Sequence, residues 1–161
     1  MSIIDLTREL DREDVAYELI PHRRTMTAGE EASAIGVPRH EVAKTIVLTT
    51  EDGYVRAVLP ASERLDLAKI RTRLRHPKHA RLATESELAA AYPMFELGAV
   101  PPLGGPAGDR TIVDRRLAVR DSVVLEAGSH DESVRLRVKD LLLLSEAEIA
   151  DICENGGAEK P

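Results

Sequence analysis

The chain has 161 residues, with 28 acidic side chains against 22 lysines and arginines and a formal charge of −6 at pH 7. This is the size of one average domain, and a content of 43% hydrophobic and 31% charged residues excludes collagen-like and broadly disordered classes. The acidic balance disfavours a general polyanion-binding protein, and an aromatic content of 2% without tryptophan disfavours base stacking on an aromatic platform.

The sequence favours a cytoplasmic protein without a membrane-spanning or export segment. Its single cysteine, Cys153, excludes an internal disulfide framework and a cysteine-based zinc site. The amino-terminal segment is acidic and amphipathic rather than basic and then apolar, and no stretch reaches about 18 apolar residues. We expect a monomer from the size and the polar composition, and we expect neither a cofactor nor a metal.

Helical and strand patterns alternate along the chain without a repeating unit. Hydrophobic residues at helical spacing predict an amino-terminal helix within residues 1–14, residues 15–154 form the expected domain, and residues 155–161 form a frayed tail. Short β-branched or apolar runs between turn residues predict strands at 15–20, 44–50, 54–59, 111–114, 122–126 and 133–137. Helix starts with a capping side chain are predicted at Thr27, Asp66, Thr84 and Ser145, the last beginning a final helix through Ile152. The sum predicts a single mixed α+β domain.

Lys44 is the most informative single residue. Side chains alternate along a strand, so Lys44 shares a face with Val42, Ile46 and Leu48, the bulkier apolar face of the predicted strand. A lysine that points toward a core is costly unless it meets a cavity, an anion or a carboxylate. Lys44 is therefore a functional candidate. The alternative is a lysine that opens the strand and extends to solvent.

The segment 98–108 is too rich in glycine and proline for a helix or a strand, and it begins with a distinctive loop. Pro101 and Pro102 carry no N–H group, which leaves Gly98, Ala99 and Val100 as the backbone donors. The proline that follows Val100 favours an extended conformation there. Such a loop can present N–H groups to a carbonyl or a developing oxyanion. A plain surface connection is the alternative.

A predicted turn at 127–132 places an imidazole and a carboxylate between two strands. The turn contains Gly128, Ser129, His130 and Asp131. Histidine is the side chain whose charge is most easily tuned near neutral pH, so His130 is a candidate for catalysis. A turn in which glycine, serine and aspartate only set the geometry is the alternative.

Six basic residues and no acid lie between Asp66 and Glu85, in contrast to the acidic whole. The basic residues are Lys69, Arg71, Arg73, Arg75, Lys78 and Arg81. They would suit the phosphates of a nucleic-acid backbone, or they form a solvated helix face. A metal site at His76 and His79 is disfavoured, because Pro77 breaks the helical face between them and no further ligand stands at a suitable spacing.

Four segments taken in order resemble the YbaK/prolyl-tRNA synthetase-associated domain family. They are PHRRTMTAGEEASAIGVPRHEVAKTIVL, AVLPASERLDLAKI, FELGAVPPLGG and EAGSHDESVRLRVKDLL, within residues 17–144. The resemblance rests on the order of a lysine opening a strand, a G-x-x-x-P loop and a late Gly-Ser-His turn. It implies a mixed, mostly antiparallel or barrel-like sheet flanked by helices, and an aminoacyl-tRNA deacylase that acts on mischarged tRNA in trans.

The resemblance also implies the roles of particular residues. The family's lysine falls on Lys44, its loop on Gly98 to Pro102 and its late turn on Gly128 to Asp131. The catalytic candidates are accordingly Lys44, Gly98, Ala99, Val100 and His130. The substrate-binding candidates are Thr45, Pro101, Pro102, Gly128, Ser129 and Asp131, and the RNA-binding candidates are Lys69, Arg71, Arg73 and Arg75. The position of Thr45 differs between branches of the family, and Pro101 stands where a small polar residue is familiar, which leaves one fewer donor. The amino acid removed therefore does not carry over.

The implied reaction is hydrolysis of the ester that links a small amino acid, such as Ala, Ser, Thr or Cys, to the 3′ end of a tRNA. Lys44 would meet a phosphate or the ester region, the loop N–H groups would stabilise the oxyanion, and the terminal ribose hydroxyl would assist water. The partners would be aminoacylated tRNA and an aminoacyl-tRNA synthetase. Two alternatives stay open: a non-catalytic tRNA- or synthetase-binding module of the same fold, and a small-molecule hydrolase or carrier that does not use RNA.

Overall fold

The computed structural model describes residues 2–74, 80–104 and 109–155, and the side chains from residue 6 onward within them. Its helices are α1 (Ser2–Arg12), α2 (Ala28–Ile35), α3 (Leu67–Arg73), α4 (Glu85–Ala91), α5 (Arg115–Ala118) and α6 (Val138–Ser145). Its strands are β1 (Tyr17–Pro21), β2 (Ala43–Thr50), β3 (Gly53–Pro60), β4 (Arg81–Leu82), β5 (Arg110–Asp114), β6 (Ser122–Ser129), β7 (Glu132–Arg137) and β8 (Glu148–Ala150). The α+β class predicted from the sequence is confirmed.

The strands form two sheets. The larger has the order β4-β2-β3-β5-β8, with antiparallel pairing of β2 to β3 and β4 and parallel pairing of β5 to β3 and β8. The smaller has the order β1-β7-β6 and is antiparallel throughout. Within the described part of the chain, a bridge between Val42 and Val124 joins them, two residues before Lys44. The beginning of β2 therefore lies where the two sheets meet.

Local signals set the elements that frame this junction. The hairpin predicted around residues 51–53 is present, with Lys44 opposite Leu59 and Thr50 opposite Gly53. At α2, the Thr27 side chain accepts from the Glu30 N–H, and Gly36 ends the helix with a φ of +86°, a left-handed conformation that favours glycine. These local signals set the two ends of α2.

The largest buried cluster lies between the smaller sheet, the larger sheet and the helices α1 and α6. Leu6 and Leu10 of α1 are fully buried in it, together with strand residues such as Val58, Leu125 and Val134. Burial of each such side chain contributes about 1.5–3 kcal/mol. The amino-terminal helix thus packs into the same core as the strands.

The predicted final helix is wrong. The chain forms α6 over Val138–Ser145, then reverses at Glu146 with a φ of +50° and adds the three-residue strand β8. Cys153 accordingly lies in a bridge to Leu65 and not in a terminal helix. Most of the predicted tail, from residue 156, lies outside the described residues.

The predicted turn at 127–132 is shorter than expected. The strand β6 continues through Ser129 with a register irregularity between Glu126 and Ser129, so His130 and Asp131 alone connect it to β7.

Within the described ranges, none of the helices is long and apolar enough to span a bilayer.

Candidate active site

A cavity of about 170 Å³ opens at the junction of the two sheets. Its walls come from the start of β2, the amino end of α2, the loop that begins at Gly98, and β6. The lining residues are Met26, Thr27, Ala28, Ala43, Lys44, Thr45, Ile46, Gly98, Val100, Pro101, Pro102 and Glu126. The structure therefore brings Lys44 and Thr45 together with the glycine-proline loop, although more than 50 residues of chain separate them.

Lys44 is half-buried at the edge of this cavity. Its face neighbours Val42 and Leu48 are fully buried, as expected, but Ala43 and Val47 on the opposite face are buried as well, so β2 is covered on both sides. Burial lowers the pKa of the Lys44 ammonium, and the positive charges of Arg39 and Arg64 lower it further, against raising contributions from Cys153 and Glu63. An anionic ligand would stabilise the charged form of this partly desolvated ammonium.

Two of the three loop residues predicted as backbone donors, Gly98 and Val100, line the cavity. Gly98 has a φ of +82° and lines the cavity with Val100, Pro101 and Pro102. The Ala99 N–H instead donates to the carbonyl of Glu96 at 3.0 Å, and the Ala99 side chain is buried away from the cavity lining. Ala99 is thus not an available donor, because its N–H closes the turn, and Gly98 and Val100 remain.

Arg56, which the sequence analysis did not select, holds this loop in place. The side chain is 3% exposed; it donates from Nη1 to the Pro101 carbonyl at 2.9 Å and from Nη2 to the Gly104 carbonyl at 2.8 Å. Its Nε lies 3.5 Å from Asp109 Oδ2, and its guanidinium lies 4.9 Å from the ring centre of Tyr92. The available signal was an arginine inside the otherwise apolar strand pattern 54–59.

His130 lies behind the loop and not at the cavity surface. It is 2% exposed, its Nε2 donates to the Leu97 carbonyl at 2.6 Å, and its Nδ1 lies 3.0 Å from Glu126 Oε2. Its backbone N–H donates to Glu96 Oε2 at 2.6 Å. A Cβ placed on Gly98 would lie 3.5 Å from His130 Cε1. His130 therefore supports the backbone directly before Gly98, which makes it a positioning residue in this arrangement.

The other residues of the late turn form hydrogen bonds with one another and with the segment before Gly98. Gly128 has a φ of +101° and accepts at its carbonyl from the Glu96 N–H at 2.9 Å, and Ser129 Oγ donates to Asp131 Oδ1 at 3.0 Å. None of the three is among the described residues that line the cavity. Their contacts fix the turn against the segment before Gly98.

Three of the four predicted RNA-binding residues, Lys69, Arg71 and Arg73, lie on α3 and are not among the residues that line the cavity. Lys69 Nζ contacts Asp151, the Cys153 carbonyl and Asn155 at 2.7–3.0 Å. Arg71 Nε donates to the Ala80 carbonyl at 3.0 Å, and the exposed Arg73 lies 3.8 Å from Glu148. Arg75, like His76, Lys78 and His79, lies outside the described residues. Part of this positive charge is thus already paired within the fold.

A second titratable cluster lies under the helix α2. Glu31 is fully buried; Ser133 Oγ donates to its Oε2 at 2.5 Å and lies 2.8 Å from His22 Nε2, while Glu31 Oε1 has no partner among the described residues. Burial raises the pKa of Glu31 to about 8, and burial together with the negative charge of Glu96 raises the pKa of Glu126 to about 8. Both carboxyl groups are mainly protonated at neutral pH.

We expect Glu31→Gln to reduce the pH dependence of stability. Because the pKa of Glu31 is raised in the folded state, its neutral form supports folding fully below about pH 4.5, and this support is lost as the pH rises toward about 8. Each such group contributes a slope of at most about 1.4 kcal/mol per pH unit. Urea unfolding of the wild type between pH 5 and 8 should show falling stability, and the variant a shallower slope.

The matched control is Glu85→Gln, which removes an exposed carboxylate in the first turn of α4. It should shift the free energy of unfolding by a small and constant amount across this range. Equal slopes for the wild type and Glu31→Gln would contradict the assignment of a protonated, buried carboxyl.

Among the described residues, no group of three or more His, Cys, Asp or Glu side chains is arranged to hold a metal ion. The described lining of the cavity instead offers a lysine, a carboxyl group and the backbone of Gly98 and Val100. This set can bind a phosphate or a carbonyl oxygen and an ammonium group.

The chain is similar in sequence to a protein family and to a curated relative. A family described as "Aminoacyl-tRNA editing domain" matches residues 22–144. A proline–tRNA ligase from Thermotoga neapolitana is 28% identical over 94 residues, which are 58% of this chain and 16% of the ligase. The chain thus matches about a sixth of the length of that relative.

Solved structures extend the similarity to nearly the whole chain. The structure of a candidate trans-editing enzyme for prolyl tRNA synthetase superposes with a TM-score of 0.84 at 27% identity, covering 96% of this chain and 98% of the other. A hypothetical protein superposes with a TM-score of 0.85 at 24% identity, covering 93% and 99%, which supports the fold alone.

Proposed function

Because the chain belongs to the aminoacyl-tRNA editing domain family, we propose that it hydrolyses the ester bond of mischarged aminoacyl-tRNA in trans. The observation that supports the proposal is that Lys44, Gly98 and Val100 line one cavity. The similarity to a candidate trans-editing enzyme for prolyl tRNA synthetase supports action outside a synthetase.

The proposed reaction needs no protein nucleophile. The 3′-terminal adenosine enters with its ester carbonyl toward Gly98 and Val100, whose N–H groups stabilise the negative charge that develops on the carbonyl oxygen. Lys44 binds a phosphate or the ester oxygen. Water, assisted by the neighbouring ribose hydroxyl, attacks the carbonyl carbon, and the bond to the ribose oxygen breaks as that oxygen takes a proton. The free amino acid and the uncharged tRNA leave.

A small amino acid suits the size of the cavity. The cavity has a volume of about 170 Å³, below the roughly 300–1,000 Å³ of pockets for drug-sized ligands. A synthetase gains only about 1–3 kcal/mol of discrimination from one methylene group, so near-cognate small residues are charged and need a second sieve. We therefore assign Ala, Ser, Thr or Cys as the side-chain class, with Thr45 and Pro101 in contact with it.

The proposed partners are the acceptor end of a tRNA and a synthetase that makes the error. Lys69, Arg71, Arg73 and Arg75 remain the proposed contacts to the RNA backbone. Two exposed arginines, Arg39 and Arg64, whose charges act on Lys44, add positive potential next to the cavity. We assign the protein to the cytoplasm, which its single cysteine suits, and we assign a monomer from its size and polar composition.

The test is deacylation of tRNAs charged with Ala, Ser, Thr or Cys, against a correctly charged tRNA for a large amino acid as the control. We expect release of one small amino acid at least about tenfold faster than the spontaneous rate, and no acceleration for the large one. If none of the four is released faster than spontaneously, the proposed deacylase activity is wrong. The non-catalytic binding module of the same fold then becomes the better explanation.

A further inference from the structure

The cavity contains a carboxyl group that the proposed hydrolysis does not use. Among the described lining residues, Glu126 is the one acid and Lys44 the one base. The Glu126 side chain is 12% exposed and projects from β6. Enclosing a carboxyl group is costly unless it has polar partners, and the partner that the structure gives Glu126 is His130 Nδ1, at 3.0 Å.

Glu126 keeps acceptor capacity for a ligand. Its hydrogen bond to His130 Nδ1, at 3.0 Å, uses Oε2. A carboxylate offers about four acceptor positions, so most of them remain for a donor that enters the cavity. The hydrogen bond also fixes the orientation of the carboxyl group, since His130 is in turn held by the Leu97 carbonyl at 2.6 Å. The acceptor is therefore positioned before a ligand arrives.

We infer that Glu126 binds the α-ammonium group of the aminoacyl ester, so that the cavity selects free α-amino acid esters over N-acylated or α-hydroxy esters. This inference rests on the proposed function and names the recognised group of its substrate. In such an ester the ammonium is one carbon away from the carbonyl carbon. A carbonyl at Gly98 and Val100 therefore carries its ammonium into the same cavity, where Glu126 supplies the negative partner.

The Glu126 carboxyl group needs its charged form to pair with an ammonium. Burial, together with the negative charge of Glu96, raises the pKa of Glu126 to about 8 in the empty cavity. A nearby positive charge favours the carboxylate and lowers this pKa, so binding of the ammonium and ionisation of Glu126 are coupled. The hydrogen bond to His130 Nδ1 holds the carboxyl group in place.

The test uses two non-hydrolysable amide analogues of the tRNA end. They are 3′-deoxy-3′-(L-alanylamino)adenosine and its lactyl counterpart, in which a hydroxyl replaces the α-amino group. Calorimetric titration should show that the wild type binds the alanyl analogue at least about tenfold more tightly, equivalent to about 1.4 kcal/mol. In Glu126→Gln the ratio should fall below about threefold, with the affinity for the lactyl analogue nearly unchanged.

Glu96→Gln is the matched control, because Glu96 also contacts His130, through its backbone N–H, but does not line the cavity. A purely structural role of Glu126 would weaken both analogues equally, as we expect for Glu96→Gln. Equal affinities in the wild type, no binding of either analogue, or a retained tenfold ratio in Glu126→Gln would each overturn the inference. The deacylation panel with the wild type tests the proposed function separately. If a small amino acid is released but the two analogues bind equally, the inference about Glu126 is wrong and the proposed function stands.

Discussion

Replacing Lys44 with alanine should lower the rate of deacylation by about 10²–10³-fold without lowering the stability of the fold. The loss follows from removal of the one positive side chain among the described residues that line the cavity. The unchanged or higher stability of the variant is expected because burial lowers the pKa of the Lys44 ammonium. A lowered pKa means that the folded state binds this proton less tightly than the unfolded chain, so the charged form costs stability at neutral pH.

The two readouts separate this prediction from general damage. Single-turnover deacylation should fall, while the midpoint of urea unfolding stays the same or rises, as is common where a site maintains a costly group for function. Lys139→Ala is the control, since Lys139 is an exposed lysine on α6 outside the cavity lining. A Lys44→Ala protein that keeps its rate within about threefold would remove Lys44 from the mechanism.

The parts of the fold that were predictable depend on contacts between near neighbours in the chain. The β2-β3 hairpin follows from the turn residues 51–53, and α4 follows from the reciprocal bonds between Thr84 and Glu87. The strand β8 could not be predicted in this way. Its three residues pair in parallel with β5, 36 residues earlier in the chain, and Ser145 and Glu148 matched a helix-start pattern that this pairing overrides.

The candidate site likewise contains residues that the sequence could reveal and residues that it could not. Lys44 and the loop from Gly98 carry local signals, a charge in an apolar strand and a cluster of conformationally restricted residues, and the structure brings them to one cavity. Glu31 gave no such signal, because an acid in an amphipathic helix usually faces solvent. Its role depends on Ser133, which is 102 residues away. Sequence patterns reveal which residues are unusual, and the tertiary contacts decide which ones support them.

The removal of Arg56 should have the largest effect on stability. Arg56→Met should lower the free energy of unfolding by about 3–5 kcal/mol, the range measured when one partner of a buried ion pair is removed. The change leaves the carbonyls of Pro101 and Gly104 without their donors and leaves Asp109 without its ion-pair partner. Because the loop that carries Gly98 and Val100 depends on these bonds, deacylation should fall even in the fraction that remains folded.

Arg56→Lys tests the geometry rather than the charge. One ammonium cannot reproduce two parallel N–H donors to separate carbonyls together with the contact to the Tyr92 ring, so we expect most of the stability loss to persist. Deacylation should be measured at a temperature at which circular dichroism shows more than about nine-tenths folded protein. Arg110→Met is the matched control on the adjacent strand β5, where the arginine is 40% exposed and pairs with Glu148. We expect it to cost at most about 1 kcal/mol.

The combination of results distinguishes a clamp from a core contact. If Arg56 fixes the loop, Arg56→Lys loses both stability and the deacylation rate per folded molecule. If the buried arginine only fills the space beside Tyr92, the rate per folded molecule stays at the wild-type value in both variants. Preorganised N–H donors lose their effect when they move by about 1 Å, so a loop freed at the Pro101 carbonyl should show the loss first in the rate constant of the chemical step.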